Sequence, residues 1–179
     1  MKRVVLLAGH NFNSPGCHTV IDGKIVTEFD LTTLLVAEIF KKERLMGIDL
    51  IIKARNDYSN LVKEVNSLNA DYLISCHFNA YNAKTQGTEV LYSHISAKGK
   101  ELAIVAQKKL LKHLGLNNRG LKPITLKDRG GSILNKTKPV AILLEPFFLD
   151  HITAKKELDD LMKKTENAIL DILNYIDIK

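Results

Sequence analysis

The sequence is poor in cysteine and has no long hydrophobic run. It contains two cysteines, Cys17 and Cys76, and no tryptophan in 179 residues. Two cysteines cannot form a disulfide framework. No apolar run approaches the ~18 residues of a membrane-spanning helix. Only five apolar residues separate Met1-Lys2-Arg3 from Gly9, which is shorter than the ~7–15-residue core of a signal peptide. We therefore expect synthesis in the cytoplasm without a signal peptide, or export by another route.

The sequence also lacks segments with the composition of an interdomain linker. The four prolines stand singly, and there is no internal repeat, low-complexity tract or Pro/Gly/Ser-rich stretch. A hydrophobic content of 45% is too high for a disordered chain. A length of 179 residues suits one globular domain with a substantial core. The sequence therefore predicts a single domain spanning residues 1–179.

Acidic residues are outnumbered by basic ones, 20 against 26, so that the formal net charge is +6. Such a balance favours polyanionic partners: nucleic acid, anionic lipid or an acidic polymer. The chain has no zinc-finger spacing, no aromatic RNA-binding motif and no basic arm, which argues against a nucleic-acid-binding protein. Most lysines are spread along predicted helices, as is typical of solvated helix faces.

Short apolar runs alternate with segments of helical periodicity. The predicted strands are Val4–Ala8, Asp49–Lys53, Asp71–Cys76, Gly87–Tyr92, a segment within Gly120–Leu126, and Pro139–Leu144. The predicted helices run from Glu28 to about Met46, Tyr58–Asn69, Ser96–Leu114 and Thr153–Ile176. This alternation predicts an α/β fold with a twisted, mostly parallel central sheet of about six strands and helices on both faces.

Three of the most apolar predicted strands are followed by an ionisable residue: His10, His77 and Glu145. Ligands bind outside the carboxyl ends of parallel strands. If these strands are neighbours, two imidazoles and a carboxylate meet at one edge of the sheet.

Glu28 is a fourth candidate, because it begins the first helix on the same stripe as Leu31 and Leu35. An unpaired carboxylate directed at a core is unfavourable and requires a cationic partner. Alternatively, Glu28 complements the helix dipole, with Thr27 as the N-cap.

His10, Glu28 and His77 form a two-histidine, one-carboxylate set. Catalytic zinc commonly has three protein ligands and one open position. The set therefore predicts one zinc ion per chain, with Glu145 left as general base.

Five further residues were considered as site residues, and most of them also have a structural explanation. Cys76 is expected in the core, because a cysteine next to a histidine in a strand faces the opposite side. Asn79 and Arg55 are candidates for hydrogen bonds to substrate, and the alternative for Asn79 is to cap its own loop. His18 and His151 are further candidates for contacts with a metal or substrate, or are solvated loop residues.

Four segments resemble the signature blocks of the zinc-dependent N-acetylmuramoyl-L-alanine amidases, the catalytic-domain family of bacterial autolysins and phage endolysins. These segments are Leu7–His10, Thr27-Glu28, Ala70–Ala80 and Leu143–Leu149. The Ser-x-His-x-Asn-Ala block within Ala70–Ala80 is the most specific. Order and spacing match over nearly the whole chain, and Ala54–Asp57 is similar to the family's Thr-Arg segment.

The resemblance implies zinc ligands at His10, Glu28 and His77 and a catalytic acid/base at Glu145. It implies hydrolysis of the amide between the lactyl group of N-acetylmuramic acid and L-alanine in peptidoglycan. The loop Asn11–His18 departs from the family pattern, which usually has glycines and an aspartate there. That loop therefore bears on substrate specificity.

The resemblance also implies an endolysin or autolysin that acts at the bacterial cell wall. The expected single domain leaves no separate wall-binding domain, which suits an endolysin. An endolysin made in the cytoplasm reaches the wall after holin-type release. Two alternatives are a zinc peptidase that cuts the stem peptide and a non-catalytic wall-binding module. The second alternative predicts that one of the four site residues is missing, and all four are present.

Overall fold

The protein is an α/β domain built on one six-stranded sheet, in a computed structural model that describes residues 1–42 and 47–179. The strands are β1 Lys2–Ala8, β2 His18–Ile21, β3 Lys24–Thr27, β4 Ile48–Ala54, β5 Tyr72–Cys76, β6 Thr88–Ser93, β7 Asn118–Ile124 and β8 Val140–Glu145. The helices are α1 Glu28–Lys42, α2 Tyr58–Ser67, α3 Ala97–Leu114, α4 Gly131–Lys136 and α5 Lys155–Asp177, with a 3-10 turn over Leu149–His151.

The strand order in the sheet is β4-β1-β5-β8-β6-β7. Strands β4, β1, β5 and β8 are mutually parallel, β6 is antiparallel to β8, and β7 is parallel to β6. This confirms the predicted mostly parallel sheet of about six strands. The carboxyl ends of β1, β5 and β8 therefore lie at one edge, together with the amino ends of β6 and β7.

The two faces of the sheet are covered unequally. Alternate residues of β1 divide between them: Val4, Leu6 and Ala8 pack with α1, α3 and α5, whereas Val5 and Leu7 pack with α2 and α4. We call these the three-helix face and the two-helix face. Both faces are buried, which explains why the central strands are continuously apolar.

Within the described residues, a β-hairpin and a short helix were not predicted from the sequence patterns. The hairpin β2–β3 has short strands with exposed residues and turns at Asp22-Gly23, both with positive φ. Helix α4 has six residues, too few to show a helical period. Strand β7 contains Pro123 and lies at the sheet edge, where proline is tolerated.

Helix α1 was predicted to continue to about Met46, and its part beyond Lys42 lies outside the described residues. Among the helices that the structure describes, none combines the length and apolar character needed to cross a membrane.

Candidate active site

The turn after β1 places His10. The amide of Gly9 donates to the Cys76 carbonyl at 2.9 Å. A Cβ on Gly9 would lie 2.6 Å from that oxygen and 2.6 Å from the His77 ring, so only glycine allows the approach. His10 follows with φ 66°, a left-handed conformation that is uncommon for a non-glycine residue. This turn ends the strand and brings the two imidazole rings to 5.0 Å between centroids.

Glu28 enters the site from the first turn of α1. Thr27 and Asp30 cap this helix reciprocally: the Asp30 amide donates to Thr27 Oγ1 at 3.2 Å, and the Thr27 amide donates to Asp30 Oδ2 at 3.2 Å. Thr27 is therefore the cap, and Glu28 points inward with 3% of its surface exposed.

The Glu28 carboxylate has partners on both oxygens. Oε1 lies 2.9 Å from His77 Nδ1 and accepts from the Phe78 amide at 3.0 Å. Oε2 lies 3.2 Å from His10 Nε2 and accepts from the Cys17 amide at 3.1 Å. Burial by itself raises the pKa of Glu28. Its hydrogen bonds with His10 and His77 outweigh burial and hold the pKa well below the ordinary value.

One ligand atom from each of His10, Glu28 and His77 lies within 4.8 Å of the other two. Around a tetrahedral zinc ion with bonds of ~2.0–2.2 Å, ligand atoms are roughly 3.3–3.6 Å apart. The 3.1 Å contact of His10 Nδ1 with the Ser14 carbonyl leaves Nε2 free to coordinate when Nδ1 carries the proton. The two imidazoles and the carboxylate are therefore donor types that fit a zinc ion.

Gly16 completes the wall around Glu28. Its φ is +80°, and a Cβ there would lie 2.4 Å from Glu28 Oε2 and 2.8 Å from His10 Cδ2. Both the backbone conformation and the available space require glycine at this position.

Glu145 ends β8 beside this group. Cys76 pairs with Leu144 in the parallel register, and the His77 amide donates to the Leu144 carbonyl at 3.0 Å. Glu145 Oε2 is buried and has no hydrogen-bond partner among the described residues. Burial first, then the negative charges of Glu28 and Glu89, raise the pKa of Glu145 well above its ordinary value. The surroundings thus lower the pKa of Glu28 and raise the pKa of Glu145, as expected of two carboxylates with different roles.

The other two predicted site residues, Asn79 and Arg55, differ in their contacts. Asn79 donates from Nδ2 to Glu89 Oε1 at 2.7 Å, so this amide group is held by the protein. Arg55 follows β4, with its guanidinium 5.5 Å from the centre of the Tyr58 ring. The buried Arg55 Nε has no hydrogen-bond partner within residues 1–42 and 47–179.

The other histidines and the second cysteine lie outside the three-residue group. His18 is exposed on β2, and His151 lies in the 3-10 turn with a buried Nδ1 that has no partner in the described part of the chain. Cys76 is buried, as predicted, and burial raises the pKa of its thiol to about 12.

The sequence patterns did not identify Glu89 or its partner Arg119 as residues next to the site. Glu89 is directly opposite Glu145 in the β6–β8 register, and Arg119 Nε donates to Glu89 Oε2 at 2.9 Å. The signal that the sequence offered was the charge of Glu89 inside the predicted strand Gly87–Tyr92.

Comparison with known proteins identifies the family and supports the fold. The family model described as N-acetylmuramoyl-L-alanine amidase matches residues 4–175. No curated protein sequence matches.

Solved structures of amidases share the fold. The catalytic domain of CwlV, an N-acetylmuramoyl-L-alanine amidase from Bacillus (Paenibacillus) polymyxa var. colistinus, superposes with a TM-score of 0.82 at 23% identity, over 100% of both chains. An N-acetylmuramoyl-L-alanine amidase from Clostridium difficile 630 gives a TM-score of 0.77 at 22% identity, over 97% of both chains. The catalytic domain of an endolysin targeting Clostridia difficile gives 0.69 at 27% identity, over 97% of this chain and 94% of that one. Because the family model covers nearly the whole sequence, the chain belongs to the N-acetylmuramoyl-L-alanine amidase family, an enzyme class that is zinc-dependent in general.

Proposed function

We propose that this enzyme is a zinc-dependent amidase that cleaves the bond between N-acetylmuramic acid and L-alanine in peptidoglycan, with one zinc ion bound by His10, Glu28 and His77. The observation that carries the proposal is the convergence of their three ligand atoms within 4.8 Å. When bound, zinc polarises the scissile carbonyl and lowers the pKa of water to about 7.

In this proposal Glu145 moves the proton. Its Oε2 has no hydrogen-bond partner among the described residues, so it is available to take a proton from the attacking water. Its raised pKa suits a group that accepts this proton and then returns it to the leaving amine of L-alanine. Arg55, which follows β4 at the same edge of the sheet and has an unpartnered Nε among the described residues, is the proposed substrate contact.

Product analysis tests the bond that is cleaved. Purified peptidoglycan is digested with the zinc-loaded enzyme, and the products are analysed by mass spectrometry. We expect intact stem peptides with free L-alanine amino termini. Cleavage within the stem peptide would instead identify a zinc peptidase, and no cleavage would identify a binding module.

Two isosteric variants separate the proposed roles of the carboxylates. Glu145→Gln keeps the shape of the side chain and removes the proton acceptor, so kcat should fall by about 10²–10⁴-fold with zinc retained. Glu28→Gln should lose zinc affinity, because a neutral amide is a poor zinc ligand. Zinc content and kcat are measured on both purified proteins. If Glu145→Gln loses zinc while Glu28→Gln keeps it, the two roles are exchanged.

We also propose that the enzyme acts at the bacterial cell wall as an endolysin or an autolysin. The 27% identity with an endolysin catalytic domain supports the endolysin role, and the net charge of +6 suits approach to an anionic wall. Expression in a bacterial host with and without a holin tests the route to the wall. Lysis that requires the holin supports an endolysin, whereas lysis without it contradicts holin-type release.

A further inference from the structure

Glu89 is a second buried carboxylate next to the proposed proton acceptor. It is 9% exposed and lies directly opposite Glu145 in the antiparallel β6–β8 pair. Side chains at such paired positions lie about 4.5–5.5 Å apart at Cβ, and like charges there are destabilising. Glu89 also contributes to the raised pKa of Glu145. The repulsion between the two carboxylates must therefore be offset by other interactions of Glu89.

The two carboxylates differ in their partners. Glu89 accepts from Asn79 Nδ2 at 2.7 Å through Oε1 and from Arg119 Nε at 2.9 Å through Oε2. Lys122 Nζ lies 3.9 Å from the same Oε2. The Arg119 guanidinium also lies 4.8 Å from the centre of the Phe148 ring, which holds it from the other side. Glu145 Oε2, in contrast, has no hydrogen-bond partner in the described residues.

Arg119 lies two strands away from Glu145. It lies in β7, and only β6 separates β7 from β8, so the two backbones are roughly 10 Å apart at a strand spacing of ~4.8 Å. The long arginine side chain and the glutamate side chain together span that distance. Across the sheet from β7, Glu145 is the carboxylate that follows Glu89. An ion pair there would occupy the oxygen that accepts the proton.

We propose that Glu89 is a positioning residue for the amidase reaction: it binds Arg119 and Asn79 and thereby keeps the Arg119 guanidinium away from the Glu145 carboxylate. Asn79 adds a second anchor, because its backbone joins the loops after β5 and β8 by accepting from the Leu149 amide at 2.8 Å and donating to the Phe147 carbonyl at 3.0 Å. The inference rests on the proposed role of Glu145.

A double-variant experiment tests the proposed role of Glu89. The variants Glu89→Ala, Arg119→Ala and the double variant are loaded with zinc, and kcat and KM are measured on soluble peptidoglycan fragments. Glu89→Ala should lower kcat by about 10- to 100-fold, within the range that general acid–base catalysis contributes. KM should change less than twofold. The double variant should recover most of the lost kcat, because the cation that would pair with Glu145 is gone.

A purely structural role for Glu89 predicts the reverse. In that case the second substitution removes a further contact, and the double variant is as slow as Glu89→Ala or slower. That outcome overturns the inference, as does full activity of Glu89→Ala. If Glu89→Ala does not fold, Glu89→Gln and its double variant with Arg119→Ala replace it, since glutamine keeps the hydrogen bond with Asn79 and loses the charge that holds Arg119.

Two controls complete the experiment. Glu166 is an equally buried carboxylate, 7% exposed, that pairs with Lys42 and Lys163 away from the site. Glu166→Ala should lower the melting temperature and leave kcat unchanged. Glu145→Gln is the reference for the proposed function. If it retains full turnover, the role of Glu145 is wrong. If it is inactive and the double variant shows no recovery, only the role of Glu89 is wrong.

Discussion

The two faces of the sheet contribute differently to this protein. The three-helix face is covered by α1, α3 and α5, of which the longest has 23 residues. The two-helix face is covered by α2 and α4, with 10 and 6 residues. His77 continues the side of β5 on which Leu73 packs with α2 and α4, and Glu145 continues the same side of β8 as Leu143. His77 and Glu145 thus continue the two-helix face beyond the ends of their strands, whereas Glu28 reaches the site from α1 on the three-helix face.

The difference has a physical reason. A long amphipathic helix over the end of β5 and β8 would bury the site and exclude a polymeric substrate. The two short helices cover the smaller core, and the core on the three-helix face contains most of the buried apolar residues. Substitutions at the site should therefore affect chemistry more than stability, and substitutions on the three-helix face should do the opposite.

The largest expected effect is loss of the metal. His77→Ala, or excess chelator on the wild-type enzyme, should remove both zinc and activity, because a site with two ligands binds zinc weakly. Zinc content and peptidoglycan hydrolysis measure the effect, and added zinc should restore the chelated enzyme. His94→Ala is the control, since His94 is an exposed histidine that follows β6 at the opposite edge of the sheet. Full activity of the chelated protein with no bound metal would exclude the zinc mechanism.

Substitutions at two glycines test whether Gly16 shapes the proposed zinc site. Gly16 and Gly23 both have positive φ, +80° and +73°, but only Gly16 has neighbours within 4 Å of an added Cβ. Gly16→Ala should weaken zinc binding by about 10- to 100-fold, as expected when groups that orient the ligands are disturbed. Gly23→Ala should show only the cost of the left-handed backbone, about 1–2 kcal/mol of stability. Equal zinc affinities in the two variants would show that Gly16 does not shape the site.

Leucine truncations compare the two faces directly. Leu110 in α3 is 0% exposed and Leu61 in α2 is 2% exposed. Leu110→Ala should reduce the free energy of unfolding by about 4 kcal/mol and Leu61→Ala by about 2–3 kcal/mol, because the shorter helix relaxes more easily around the cavity. Urea denaturation measures both. Leu110→Ala should keep its kcat; a loss of kcat in the folded protein would contradict the division between the faces.

The smallest expected effect is at the start of α3. Ser96 Oγ accepts from the Gly99 amide at 3.0 Å, as an N-cap. Ser96→Ala should cost about 1 kcal/mol of unfolding free energy with no change in kcat. Lys108→Ala, at an exposed position of the same helix, should change stability by less than about 0.5 kcal/mol. If the two variants are equally stable, the cap contributes nothing.

Much of the fold could be predicted because its signals are local. Most of the sheet strands carry a short apolar or alternating pattern, and the long helices show a clear 3.6-residue period. The hairpin β2–β3 and α4 could not be predicted, because four-residue strands and a six-residue helix carry too few periods. His10, Glu28, His77 and Glu145 were found because each breaks an apolar pattern at a strand end or on a helix stripe.

The sequence by itself determined the α/β class, the boundaries of most elements and the residue types available for a zinc site, since apolar periodicity and strand-end polar residues are properties of neighbouring positions. Only the tertiary structure decided which strands are adjacent and which side chains meet. The antiparallel placement of β6 beside β8 brings Glu89 opposite Glu145 and Arg119 within reach of both. Strand pairing joins residues that are distant in the chain, and no local pattern specifies its register or direction.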